Sequence, residues 1–373
     1  MNYLPVFAST AALPPAGFAD ERAWTGDMKA AIRDSHQLLA AVGLAATIPQ
    51  VSTGGAPSGL DEGLAAEVLA RPKFPVFVPP ALLARISRGN ANDPILRQVL
   101  PLADEEDAER QAEFGIDPLG EFPDLAAPDS MATEPKPGDR KWIQKYHGRA
   151  LLITTGACAI NCRYCFRRHF PYPSAPQQRT RWQPWLEPIA ADPTIREVIL
   201  SGGDPLVLHD ESLCRLLDGL REISHVKWLR IHSRMPVVIP SRITNSFLAL
   251  FEGFAAKTMV IHVNHAQELD DEVAQAMLRL RHRGFQLLNQ SVLLRGVNDS
   301  VSALMDLSCR LVELGVVPYY LHQLDRVRGA AHFEVSIERG LQLVAELRQK
   351  LPGHAIPRYV QENPGQPSKT ILA

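Results

Sequence analysis

Residues 156–170 read GACAINCRYCFRRHF. Three of the chain's five cysteines fall here, Cys158, Cys162 and Cys165, followed at once by Arg167, Arg168 and His169. The spacing is C-x3-C-x2-C, directly after the apolar run ALLITT (150–155). A structural zinc site normally closes four ligands, usually as two separated pairs. No second pair follows: Cys214 and Cys309 stand alone in helical patterns and read as buried core residues. His169 could complete a zinc site. Three thiolates without a fourth suit a four-iron cluster better, with one iron left open for a ligand that is not protein.

Outward from this loop, short β-branched runs alternate with helix-length amphipathic stretches. The expected strands are ALLITT (150–155), EVILS (197–201), VKWLRIH (226–232), TMVIHVN (258–264), QLLNQSVLL (286–294) and VPYYLHQ (317–323). Helices are expected between them at 210–223, 269–284 and 300–314, with a last one at 336–350 before a final extended run, AIPRYVQ (355–361). Strand–helix alternation implies a parallel sheet with helices outside. A full eight-unit barrel usually needs about 250 residues, so an α/β fold built as an incomplete (β/α)6 TIM-like barrel fits better.

Residues 1–140 read differently. They are rich in proline and alanine, with helical patterns at 20–42 and 61–70 and a polar, proline-punctuated connector before the barrel. The expected organisation is a mainly helical, wrapping N-terminal region (1–140) and a barrel with its C-terminal segment (141–373). The 373 residues carry a formal net charge of -2, which gives no broad attraction to nucleic acid or to an anionic membrane. No apolar run approaches the roughly 18 residues of a membrane span, and the first residues lack the pattern of a secretory signal. Few and unpaired cysteines favour a reducing compartment, so a cytoplasmic protein is expected.

With Tyr164 before the last cysteine, CAINCRYC (158–165) resembles the signature of the radical S-adenosylmethionine superfamily. The resemblance implies a 4Fe-4S cluster on Cys158, Cys162 and Cys165, whose open iron binds S-adenosylmethionine and whose electron releases a 5′-deoxyadenosyl radical. LSGGDPL (200–206) is similar to the glycine-rich element that receives the amino group of S-adenosylmethionine, which gives Gly202, Gly203 and Asp204 a cofactor-binding role. Read alone, it is a strand-to-helix turn.

Further blocks narrow the resemblance. RIHSRMPVVIPSRIT (230–244), HVNH (262–265), NQSVLLRGVND (289–299), PYYLHQLD (318–325) and ENPGQPSKT (362–370) resemble matching blocks of the lysine 2,3-aminomutases. The likeness runs from about residue 74 to 370, and the GQPSK ending looks like the branch that supplies β-lysine for modifying elongation factor P. It implies that Lys369 forms a Schiff base with pyridoxal 5′-phosphate. Lys145, Tyr146 and Arg149 match the region that holds the cofactor phosphate, where a planar guanidinium suits phosphate oxygens. His262 and Gln290 match further cofactor-binding positions. Arg167 matches the partner of the substrate carboxylate, while Arg168 reads as a surface charge. Asp325 and Glu362 match two carboxylates that receive the substrate's ε-ammonium. The family position of Glu362 is commonly aspartate, so the fit there differs by one methylene. Longer members carry zinc-binding cysteines after the pyridoxal lysine; none follows Lys369 here, and that zinc is not expected.

What the resemblance implies is an isomerase that converts free L-lysine to β-lysine. Such an amino shift requires breaking an unactivated C–H bond at the β carbon. Pyridoxal chemistry alone acidifies the α position, so a radical is needed. The implied partners are a one-electron reductant, elongation factor P and its lysyl-transferring enzyme, with no nucleic acid and no membrane. An aminomutase acting on another amino acid, such as glutamate, is a rival that the acid pair argues against. A non-catalytic iron–sulfur protein is another, and it would need neither the GGDP turn nor a pyridoxal lysine.

Overall fold

In the computed structural model, the described residues are 21–44, 68–69, 72–121, 142–144, 146–172 and 182–373. One nine-stranded sheet organises them, with the strands in chain order: β1 (Trp142–Ile143), β2 (Arg149–Thr155), β3 (Glu197–Gly202), β4 (Trp228–Ser233), β5 (Ala256–His262), β6 (Phe285–Val292), β7 (Val317–His322), β8 (Arg358–Gln361) and β9 (Thr370–Ile371). Strands β2 to β8 run parallel, and the short β1 and β9 pair antiparallel at the two edges. Among the described residues no pairing joins the two edges, so the barrel is incomplete. Six crossovers link seven parallel strands, because the extended run expected at 355–361 is itself a parallel strand beside β7.

The helices outside the sheet form for a visible reason. Leu213, Leu216, Leu217 and Leu220 make one buried stripe on Asp210–Arg221, and Val273, Ala276, Met277 and Leu280 make another on Asp271–His282. Such spacing puts all four side chains on one face. The side chains of Asp270, Ser300 and Ser336 accept from backbone N–H groups in the first turns of their helices, satisfying donors that the helix leaves open. Cys214 and Cys309 stand one position off their stripes. Cys214 is accordingly half-buried, with its thiol 3.4 Å from Asp218 Oδ2, and Cys309 is exposed. Neither is the buried core residue expected from sequence.

The helical pattern at 20–42 breaks into Glu21–Lys29 and Ser35–Ala41. Between them Ile32 makes a two-way backbone bridge with Val78, at 2.9 and 3.0 Å, and Asp34 then caps the second helix. Tertiary pairing has overridden the helical period. Most of the pattern at 61–70 lies outside the described residues; Val68 bridges Leu102. Trp24, Leu38, Val78, Leu96 and Val99 share one hydrophobic core with strand residues such as Leu152, Leu200 and Ile231. The described N-terminal segments therefore pack onto the barrel rather than beside it. No helix among the described residues is long and apolar enough to cross a membrane.

Candidate active site

Alternation along the strands sorts side chains into two sets. On β4, Leu229, Ile231 and Ser233 are buried, while Arg230 and His232 take the other face, which Arg230 shares with Glu197 of β3. The parallel register sets Ser201 beside Ile153, and places His262 beside Gln290, and Gln290 beside Tyr320. The barrel interior is therefore polar along much of its length.

At the C-terminal end of β2, the cysteine loop closes with Cys165 N donating to Cys162 O at 3.0 Å. The GGDP turn is stitched to it: Gly203 N donates to Thr155 O at 2.7 Å and Asp204 N to Ala157 O at 2.8 Å. A Cβ on Gly203 would sit 2.3 Å from Ala157 O, and Gly202 has a φ of 119° with Thr155 O 2.6 Å from any added Cβ. Only glycine allows this approach. The Asp204 side chain does not point away to a ligand. Its carboxylate accepts from Ser233 Oγ (2.7 Å) and from the backbone N–H of Leu206 (3.0 Å), Arg234 (2.8 Å) and Met235 (3.0 Å), binding the ends of β3 and β4 together. Burial still pushes its carboxyl above the usual range.

Burial pushes the Cys165 thiol up to about 11, with Cys162 as the next cause, and pushes Cys158 well up, with Cys165, Asp204 and Cys162 adding to it. Cys158 and Cys165, thiols that resist ionisation beside Cys162, belong to a donor set that needs a cation to become thiolates. That is the chemistry of a cluster site. Among the described residues, no group of three or more His, Cys, Asp or Glu side chains is arranged around a single metal ion. His169 is exposed, with Nε2 2.9 Å from the carbonyl of Arg328.

Arg167 is buried and holds Glu121 through two contacts, Nε to Oε2 at 2.6 Å and Nη2 to Oε1 at 3.1 Å. Its Nη1 reaches Ser201 Oγ at 3.1 Å and Gly202 O at 3.3 Å. Burial works against its charge, but the Glu121 carboxylate more than offsets this and the net shift is upward. Arg168 is no surface charge. Its side chain is 5% exposed and donates to Glu105 Oε2 at 2.6 Å, a carboxylate that also pairs with the fully buried Arg163.

The other group lies around Lys369, which precedes β9. Its ammonium pairs with the carboxylate of Glu362, and Tyr146 OH donates to the other oxygen of that carboxylate. The antiparallel pairs Gln361↔Thr370 and Val360↔Ile371 fix this loop over the barrel. Arg149, the first residue of β2, lies at the strand end opposite the cysteines; its guanidinium sits 5.6 Å from the Tyr146 ring and 3.5 Å from Glu197. Lys145 lies outside the described residues. Asp325 is half-buried three residues past β7.

Between the two groups stand three histidines. His262 Nε2 lies 3.0 Å from Tyr164 OH, and the two rings stack at 5.7 Å. Burial lowers His262 to about 3, and holds His232 and His322 neutral as well, the latter two also under the charge of Lys369. Among the described residues, the buried Nε2 atoms of His232 and His322 have no hydrogen-bond partner, so each can serve a bound molecule. A line of side chains thus runs from Lys369 past His322 and His232 to His262, Tyr164 and the cysteines.

A relative from Escherichia coli strain K12 named L-lysine 2,3-aminomutase is 47% identical over 316 residues, which cover 84% of this chain and 87% of the relative. The chain belongs to the L-lysine 2,3-aminomutase family. A Haemophilus influenzae relative of the same name is 39% identical over 355 residues, covering 95% of this chain and 96% of its own. A solved structure, Streptococcus suis SuiB bound to S-adenosylmethionine, aligns with a TM-score of 0.44 at 12% identity, covering 59% of this chain and 51% of that one. No family model matches the chain.

Within this family member, sequence reasoning missed Glu121, Glu105, Gln98, Arg230, Arg234 and Glu268. Arg234 had a signal: a cation just past an expected strand, at the start of the apolar run MPVVIP. The three N-terminal residues had none, because nothing local reveals that a distant segment will fold over the cysteine loop.

Proposed function

We propose that this chain is a lysine 2,3-aminomutase, an isomerase that moves the α-amino group of free L-lysine to the β carbon. The observation that carries the reading is the placement of Lys369 and the cysteine loop in one barrel: the Lys369 ammonium lies 6.0 Å from the Tyr320 ring, that ring lies 5.6 Å from His322, and His262 Nε2 lies 3.0 Å from the hydroxyl of Tyr164 in the cysteine loop. When bound, the cluster with S-adenosylmethionine supplies a 5′-deoxyadenosyl radical, and pyridoxal phosphate carries the migrating nitrogen. Cys158, Cys162 and Cys165 hold the cluster, and the GGDP backbone packs against that loop so closely that its position is fixed. Lys369 anchors pyridoxal phosphate, with Arg149 and Tyr146 toward its phosphate.

Glu362 and Asp325 receive the substrate's ε-ammonium. The pairing of Glu362 with the ammonium of Lys369 supports this, since the carboxylate already holds a lysine head group. Arg167 lies beside the GGDP turn, where a substrate carboxylate would meet its Nη1 edge. His262 and Gln290 line the space between the two cofactors. The buried side chains of Tyr164, Arg167 and Arg234 around the cysteine loop keep water from a reactive radical and hold the reacting atoms in place.

We also read residues 1–140 as a wrapping region over a catalytic barrel at 141–373. The burial of Gln98, Glu105 and Glu121 against the cysteine loop supports that division. The reductant is a one-electron donor, and the product serves elongation factor P through its lysyl-transferring enzyme; the likeness of GQPSK to that branch supports the link. A cytoplasmic location accords with the few, unpaired cysteines. The test is anaerobic incubation of reconstituted protein with free lysine, S-adenosylmethionine, pyridoxal phosphate and a reductant. β-Lysine is the expected product. Fully loaded protein that leaves lysine unchanged, or that isomerises glutamate instead, overturns the assignment.

A further inference from the structure

Arg234 is the first residue after β4, and the chain there is held by Asp204, which accepts from the backbone N–H of Arg234 and Met235. The guanidinium is thereby aimed at the cysteine loop. Its Nη1 donates to Cys162 Sγ at 2.8 Å and to Tyr164 OH at 2.8 Å. Its Nη2 donates to Gln98 Oε1 and to Glu268 Oε2, both at 2.7 Å. The arginine side chain is 6% exposed and that of Glu268 is fully buried.

Glu268 is itself held by the backbone N–H of Asn264 (2.9 Å) and His265 (3.0 Å) and by Gln98 Nε2 (3.2 Å). Asn264 Nδ2 closes the network on Tyr164 OH and Gln98 Oε1. A buried ion pair is a poor way to gain stability, because desolvation costs about as much as the attraction returns. Its cost is better understood from where the cation points. Among the described residues, Cys162 is the one cluster cysteine in hydrogen-bond contact with a charged side chain. Hydrogen bonds to ligand sulfurs and nearby charge are two of the levers that set a cluster's reduction potential.

We propose that Arg234 is a positioning residue that fixes the Cys162 sulfur and, by donating to it, raises the reduction potential of the cluster, with Glu268 limiting how far. A cation beside the ligand sulfur favours the more negative, reduced state. The buried carboxylate of Glu268, on the far side of the guanidinium, offsets part of that field. The two residues therefore act in opposite directions. This inference rests on the reading of Cys158, Cys162 and Cys165 as cluster ligands, and iron and sulfide counts on the unaltered protein test that reading separately.

The experiment is a redox titration of reconstituted protein followed by the electron paramagnetic resonance of the reduced cluster, with iron counted in each sample. Arg234→Gln and Arg234→Lys should both lower the midpoint potential and shift the resonance, the first because charge and donor geometry change together, the second because a point charge does not reproduce the fork. Glu268→Gln, which keeps the arginine, should raise the potential. A merely structural role would change iron content or melting temperature and leave the potential of the iron-loaded fraction alone. Midpoints and resonances of the loaded arginine variants equal to those of the unaltered protein overturn the proposal. Should neither arginine variant hold iron, Glu268→Gln decides: an upward shift supports the proposal, and no shift overturns it.

Discussion

Arg167 gives the Nε and Nη2 edge of its guanidinium to the carboxylate of Glu121, a residue 46 positions earlier in the chain. Both side chains are nearly fully buried, at 7% and 4% exposure. The Nη1 edge is left to Ser201 and Gly202 at the GGDP turn. The N-terminal segment thus supplies the counter-charge for an arginine at the heart of the site. Removing one partner of such a pair leaves a buried charge alone, a loss of about 3–5 kcal/mol. Glu121→Gln should therefore lower the midpoint of chemical denaturation by that equivalent, with a smaller loss for Glu121→Asp. An unchanged midpoint for Glu121→Gln would show that the pair does not hold the segment in place.

The GGDP turn allows a sharper test of how closely the two loops must pack. Gly203 has Ala157 O 2.3 Å from where a Cβ would stand, and that oxygen belongs to the backbone of the cysteine loop. Backbone cannot swing aside as a side-chain end can. Overpacking of this kind costs about 1–3 kcal/mol, which corresponds to a roughly 5- to 150-fold loss if it falls on binding. Gly203→Ala should weaken S-adenosylmethionine binding to the iron-loaded protein or reduce the iron it retains. Normal iron content together with normal S-adenosylmethionine affinity would contradict the geometry.

The barrel was legible because its signals are local. Each helix carries its own stripe, as in Leu213, Leu216, Leu217 and Leu220, and each strand its own apolar run. Strand ends were less so: 226–232 begins at Trp228, and 258–264 stops at His262, because pairing with the neighbours decides where a strand ends. The antiparallel β9 was unreadable, since two residues carry no period, yet it is what fixes Lys369 over the barrel. The site shows the same divide. The cysteine spacing announces itself, whereas the carboxylate partners of Arg163, Arg167, Arg168 and Arg234 come from 34 to 63 residues away, some across segments with no pattern. Arg168 looked like a surface charge for that reason: its partner Glu105 is far off in sequence.

The barrel histidines give the protein an acid limit. In the unfolded chain each takes up a proton near the ordinary value of 6.5, but burial keeps His262 neutral in the fold down to about 3, and keeps His232 and His322 neutral well below 6.5. Below 6.5 the unfolded state binds more protons than the folded one, so stability falls as pH falls. Each such group contributes a slope of up to about 1.4 kcal/mol per pH unit between the two values. Denaturation midpoints should be steady near pH 7 and drop from pH 6 to pH 5. His322→Gln should show a shallower drop than the unaltered protein. Equal slopes would mean that His322 takes up its proton in the folded state too.

Glu362 already holds one lysine ammonium, that of Lys369, while its second oxygen accepts from Tyr146 OH. If Lys369 carries pyridoxal phosphate, borohydride reduction and peptide mapping should place the label on Lys369, and Lys369→Ala should carry none. The acid is then available for the ε-ammonium of the substrate, with Asp325 as the second carboxylate. Glu362→Gln keeps the size and an acceptor but removes the charge, and an under-paired ammonium in a dry site costs about 2–5 kcal/mol, or about 30- to 5,000-fold in kcat/KM. The same loss is expected for Asp325→Asn. The losses should appear on lysine with iron and pyridoxal contents unchanged, which separates substrate selection from cofactor assembly. Near-normal efficiency on lysine in both variants would mean that the carboxylates do not select the ammonium. Loss of the borohydride label in Glu362→Gln would instead assign this carboxylate to the cofactor lysine, leaving Asp325 alone with the substrate.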